Sequence, residues 1–266
     1  MIKYAIVAFT LIFLLVACES EATPFPVDIP PTETPIPIPT DIPQLRYALA
    51  SNMLGFIPEL YLIRSTALVE QLTESINPDD LGQRYDIIVS FGELAGWTTI
   101  ETPIQVSVVF SEMLNASFRD VIQQVINPQS IVADLGMPGA IANYSESASY
   151  EQVRSELANS GFPDGFSIII AYAYTPGIAS VVAQLGVVNV DVQIQLFANS
   201  DILESFGNQE TQVALITWIT AEDRQVWVDR FGANNVIDLY SLPISYRAVD
   251  GLQISINENG LPLASW

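Results

Sequence analysis

Residues 153–174 read VRSELANSGFPDGFSIIIAYAY, and this stretch decides the fold class. The helical spacing that begins at Tyr150 runs to Ser160, and Gly161 stops it. Pro163-Asp164-Gly165 then supplies a tight turn whose glycine can take a positive φ, and Phe166 to Tyr172 is a nearly unbroken apolar strand. A helix delivered by a short turn into a strand that is apolar on both faces is the building unit of an α/β sheet.

The same alternation extends in both directions. Toward the C-terminus the pattern predicts a helix over Gly177 to Leu185, a strand over Val190 to Phe197 and a helix over Ser200 to Phe206. A strand over Val213 to Trp218 and a helix over Ala221 to Phe231 follow, and the tail returns to strand over Val236 to Tyr246 and Leu252 to Ile256. Toward the N-terminus, Leu45 to Ser51, Tyr85 to Phe91 and Ile104 to Phe110 read as strands. Pro58 to Ser75 carries Leu60, Ile63, Ala67, Leu68 and Leu72 at helical spacing and reads as a helix. Two more helices are expected, from about Ser117 to Ile126 and from Gln129 to Leu135, the second ended by Gly136, with Gly139 closing a loop.

Upstream of Gln44 the chain changes character. Met1 to Ala17 reads MIKYAIVAFTLIFLLVA, one lysine followed by an apolar stretch too short for a permanent membrane span, as in a secretory signal peptide. It ends at Leu15-Val16-Ala17-Cys18, which resembles a lipobox, so Cys18 is expected to carry a lipid that holds the chain on the extracytoplasmic face of the cell membrane. From Glu19 to Pro43 proline recurs every two to four residues, a composition that forms neither helix nor ladder and favours polyproline II. At about 3.1 Å per residue such a tether reaches roughly 75 Å.

Composition narrows the function. The chain holds 30 acidic residues against 9 basic ones and no histidine, a formal charge of −21. Such a surface repels phosphates, which excludes nucleic acid as a partner. Cys18 is the sole cysteine, so no internal disulfide or thiolate metal cluster can form. Beyond the leader there is also no lysine, and the Ser-His-Asp, Cys-His, Schiff-base and histidine-metal arrangements all fail. No metal or cofactor is expected, and carboxylate pairs, as in a glycosidase, are the only remaining catalytic option.

The segment quoted first is similar to a region of the family 5 extracellular solute-binding proteins, in which a helix ends in an A-G-Y-x-D-G-F turn before a strand. The preceding FRDVIQQVINPQSIVADLGMPGAI (118–141), then QVALITW (212–218) and LYSLPISY (239–246), resemble further segments of that family in the same order. Asn127-Pro128-Gln129 stands where the family has D-R-x, and the chain is shorter than the family's members. The resemblance implies a two-lobed, type 2 periplasmic-binding-like α/β fold with mixed, mainly parallel sheets. One lobe would comprise residues 44–102, completed by about 240–266, and the other residues 103–239. It further implies a non-enzymatic solute-binding protein that delivers a small or peptide-like ligand to the permease subunits of an ABC transporter. A surface adaptor or sensor without a transport role is the alternative reading.

Ligands of open α/β sheets sit beyond the carboxyl ends of strands. That rule selects Ser51, Asn52, Ser90, Gly92, Glu93, Tyr174, Thr175, Gly177, Trp218, Thr220, Tyr240 and Tyr246. Trp97, following Gly96, joins Trp218 as a candidate for stacking on a ligand, and Thr175-Pro176-Gly177 would aim helix N-terminal amides at an anion. Glu93 is a candidate to receive an amine.

Overall fold

The computed structural model describes residues 44–53, 67–100, 104–144, 147–173, 175–197, 199–208, 211–218, 221–256 and 261–266. The leader, Cys18, the tether, Tyr174 and Thr220 lie outside the described residues. No helix among the described residues is long and apolar enough to cross a membrane.

Two mixed sheets organise the chain. In the first, β2 (Ala67–Gln71), β1 (Leu45–Leu49) and β3 (Ile87–Phe91) run parallel, β11 (Ile244–Ala248) is added antiparallel to β3, and β4 (Thr98–Thr99) antiparallel to β11. In the second, β9 (Val213–Trp218), β7 (Phe166–Tyr172) and β8 (Val190–Leu196) are parallel. Beyond β9 come β5 (Ile104–Phe110), β10 (Val236–Leu242) and β6 (Ile141–Ala142), all antiparallel to their neighbours. Every residue of β3 is buried, as a strand covered on both faces requires.

The chain passes between the sheets twice, once between β4 and β5 and once at Pro243, the single residue between β10 and β11. Proline has no N–H to give to a ladder, so the expected continuous strand over 236–246 breaks there into two strands of different sheets. The Pro243 carbonyl instead accepts from the Gly92 N–H at 2.8 Å, and the Ile100 N–H donates to Ile244 at 2.8 Å. One contiguous apolar core contains residues of both sheets, among them Tyr47, Phe91, Ile104 and Leu242, together with helical Ile122.

The helices follow their capping residues. Asn115 accepts from the Ser117 N–H at the start of α1 (Ala116–Val125), and Asn127 with Pro128 starts α2 (Pro128–Leu135), which ends on left-handed Gly136. Ser149 and Gln152 form a capping box on α3 (Tyr150–Asn159). The remaining helices are α4 (Ile178–Val187), α5 (Asn199–Gly207) and α6 (Ala221–Phe231).

The helix expected over Pro58 to Ser75 is corrected in its described part: residues 67–71 form β2, paired residue for residue with β1. The helical spacing of Ala67, Leu68 and Leu72 yields to a period of two, with Ala67 and Val69 turned inward and Leu68 left 57% exposed. The ladder with β1 and the Gln71 side chain, which donates to the Leu49 and Ala50 carbonyls, fix the strand. Residues 58–66 of that expectation lie outside the described residues. A hairpin of β12 (Gln253–Ile256) and β13 (Pro262–Ser265) ends the chain, and the Ala264 N–H donates to the Tyr47 hydroxyl at 2.6 Å.

Candidate functional site

Past the end of β1 the chain turns through Ser51–Met53, which places Asn52 beside the end of β3. The Asn52 side chain donates to the Phe91 carbonyl at 3.1 Å and accepts from the Ser90 hydroxyl at 3.3 Å and the Phe91 N–H at 3.4 Å. These bonds hold the carboxyl ends of two neighbouring parallel strands together. A cavity of about 510 Å³ opens against them. It is lined by Ser51, Asn52, Ser75 and Ser90 and by Ile76, Leu94, Ala95 and Trp97. The indole of Trp97 also packs on the buried Ala48, Tyr85 and Ile88. Exposed Ser51, Ser75 and Ala95 leave the cavity open to water.

The opposite wall comes from the other sheet's part of the chain. Leu135, Gly136, Met137 and Pro138, at and just past the end of α2, complete the lining. The Glu93 N–H donates to Pro138 at 2.8 Å. Gly92 has φ +95, and a Cβ there would stand 3.3 Å from the Pro138 ring, so glycine permits this close approach. Glu93 itself is exposed, with its stem lying where a Cβ on Gly139 would fall.

The other described candidates do not line this cavity. Thr175, Gly177 and Tyr240 are brought together inside the second sheet's part of the fold. The buried Thr175 hydroxyl donates to Leu215 at 3.0 Å, and the Tyr240 hydroxyl donates to the Pro176 carbonyl. A Cβ on Gly177 would lie 2.7 Å from Ile131 and 2.8 Å from the Tyr240 oxygen. The loop before α4 is thus filled by the protein's own side chains. Trp218 is 3% exposed, and its indole N–H donates to Ser107 at 2.5 Å. Ser107 donates in turn to Asp238, which Arg224 holds at 2.9 and 3.1 Å. Half-buried Tyr246 stands on β11 opposite Val89 and Thr98.

Ser51, Asn52, Ser90 and Trp97 are therefore the candidates that the fold assembles, with Gly92 and Glu93 at the seam beside them. Sequence reasoning missed Ser75, Leu94, Met137 and Pro138. The glycines at 92, 96 and 136 mark the turns beside Leu94, Met137 and Pro138, but only the contact of Pro138 with the Gly92–Glu93 turn makes these segments neighbours. Among the described residues the lining contains no carboxylate, thiol or cation, and the Ser90 hydroxyl donates to Asn52 and to the Phe91 carbonyl.

Burial raises the Tyr240 phenol far above its ordinary range and pushes Tyr144 up to about 12. In the unfolded chain both phenols ionise near pH 10. A raised folded-state value means that their contribution to stability is whole below about pH 10 and is lost as the pH climbs toward 12. With no histidine in the chain, thermal denaturation followed across pH should give a level Tm from about pH 6 to 9 and a fall above 10, accompanied by phenolate absorbance. A Tm held constant to pH 12 would contradict the burial of these phenols.

No protein-family model matches the chain, and no curated protein matches it in sequence. Solved structures do. A substrate-binding protein from Microbacterium hydrocarbonoxydans, complexed with 4-hydroxybenzoate hydrazide, is similar with a TM-score of 0.50 at 10% identity, over 74% of this chain and 61% of that one. A dipeptide-binding protein from Pseudoalteromonas sp. SM9913, in complex with Met-Leu, gives 0.49 at 12%, over 78% and 55%. The ABC transporter-associated periplasmic binding protein DppA from Helicobacter pylori, with peptide STSA, gives 0.45 at 13%, over 75% and 52%. The chain spans about half the length of the solved proteins it matches. The first likeness shows the fold: a mixed α/β architecture of the two-lobed periplasmic-binding type.

Proposed function

We propose that this chain is an extracytoplasmic solute-binding protein, anchored through a lipid on Cys18, that holds a small ligand between two lobes and passes it to the permease subunits of an ABC transporter. The lobes are residues 44–102 with about 240–266, and residues 103–239. The observation that carries the reading is the cavity of about 510 Å³ at the carboxyl ends of β1 and β3, closed on its far side by residues 135–138 beyond the chain crossing. Its size suits a small molecule, and its mixture of apolar walls with a few hydroxyl and amide groups suits binding. The apolar run ending at Cys18 and the proline-rich stretch after it support the anchor and a tether.

The test uses the full chain in mild detergent. Native mass spectrometry is expected to release a co-purifying small molecule, and a library of small solutes to contain compounds that raise the Tm. A ligand at a hundred times its Kd stabilises the fold by about 2.7 kcal/mol. Ser51→Trp, which places an indole at the exposed rim, should abolish that rise while leaving the ligand-free Tm unchanged. Cys18→Ser should release the chain from the membrane fraction. A Tm that no solute moves, in wild type and variant alike, favours an adaptor or sensor role over transport.

A further inference from the structure

The lining of the cavity also selects among ligands by charge. Among the described residues that line it, not one is acidic or basic, although the chain as a whole carries 39 Asp, Glu, Lys and Arg residues. Among the described arginines, Arg46 is committed to Asp86 at 2.7 Å, Arg84 to Glu70 and Asp80, each at 3.5 Å, and Arg119 to Asn235 at 3.0 Å. A peptide or amino acid brings an ammonium and a carboxylate, and each must exchange water for a partner of opposite charge or lose affinity.

Helix α2 adds a direction to this. It turns its C-terminal end to the cavity, where Leu135 and Gly136 lie in the wall. That end carries the negative pole of the helix and disfavours an anion further. What the lining does offer is one half-buried indole, Trp97, together with Leu94 and Met137, and hydroxyl or amide groups on Ser51, Asn52 and Ser75. An indole edge with aliphatic and thioether neighbours suits a flat ring, and neutral hydroxyls suit neutral polar substituents.

We propose that the cavity takes an uncharged, ring-bearing small molecule, such as an aromatic amide, ester or alcohol, and discriminates against zwitterionic peptides and amino acids. This rests on reading the cavity as the ligand site.

The experiment keeps the ring constant and varies only charge. N-acetylphenylalaninamide is neutral, phenylalaninamide cationic, N-acetylphenylalanine anionic and phenylalanine zwitterionic, and each is titrated calorimetrically into the full chain in mild detergent. The neutral probe is expected to bind at least about 100-fold more tightly than the zwitterion, with the anion also weak. Trp97→Phe should weaken the neutral probe by about tenfold while preserving the order of the four. Because Trp97 also packs against the core, Ser51→Trp provides the second variant and should remove the binding with the fold intact. Equal or tighter binding of phenylalanine or of the anion overturns the charge rule and leaves the cavity as a ligand site. Should none of the four bind, the molecule released in native mass spectrometry decides: an uncharged ring compound upholds the proposal and a charged one defeats it. Absence of any ligand by both methods defeats this proposal together with the solute-binding reading.

Discussion

Trp218→Ala is expected to cost about 3–5 kcal/mol of stability and to leave ligand affinity unchanged in whatever fraction remains folded. The indole is 3% exposed in a satellite core with Val109, Ile202, Phe206, Ile216 and Phe231, and it meets Trp227 edge to face at 5.6 Å. Alanine there leaves a cavity that the surrounding aromatic rings cannot collapse to fill, because β9 and α6 fix their spacing. It also deletes the donor at the head of the Trp218, Ser107, Asp238 and Arg224 series, so the Ser107 oxygen loses one partner in a buried place. Trp218→Phe keeps most of the packing and loses only the N–H, so it should fall between wild type and alanine. Denaturant melts of the three proteins check the order. A wild-type midpoint for the alanine variant, or a selective loss of ligand binding, would return Trp218 to the role of a stacking residue.

Gly165→Ala should cost about 2–4 kcal/mol, from overpacking added to backbone strain. Gly165 ends the turn between α3 and β7 at φ +84, and a Cβ there would stand 1.7 Å from the carbonyl oxygen of Asn189. Asn189 is itself left-handed, with φ 64, and precedes Val190, which pairs with Phe166. Two adjacent turns thus meet backbone to backbone, and an added methyl must push β7 and β8 apart at the first rung of their ladder. Gly161→Ala is the control: its φ is +91, but nothing lies within 4 Å of the added atom. It should show the conformational penalty alone, about 1 kcal/mol. Equal losses for the two variants would remove the steric argument.

The bounds of β5, β7, β9 and α6 are legible because each is a strong periodic signal between turn residues, and the local preference agrees with the final environment. The region of β2 was misread because Ala67, Leu68 and Leu72 satisfy a helical spacing too, and only pairing with β1 gives Val69 its inward place. The break at Pro243 leaves a plain mark in sequence, a proline inside an apolar run, yet the residues on either side look alike. That they belong to different sheets depends on which distant strands, β5 and β3, receive them. Among the site candidates, the rule that ligands sit at the carboxyl ends of strands selected Ser51, Asn52 and Ser90, which line the cavity, and equally selected Thr175 and Tyr240, whose polar atoms are spent on backbone carbonyls. A strand end is visible in sequence, whereas what fills the space beyond it is not.

By itself, the order of the amino acids determined the α/β class, the caps and glycine stops of the helices and the absence of the usual nucleophile and base pairs, because each of these depends on neighbours a few residues apart or on composition alone. Only tertiary structure decided which strand ends face an open cavity and which face packed side chains. The meeting of residues 51, 90 and 97 with residues 135–138 is set by two chain crossings and the docking of one helix end. Such a contact is a property of the assembled core, where close packing selects one arrangement out of many that the local signals allow.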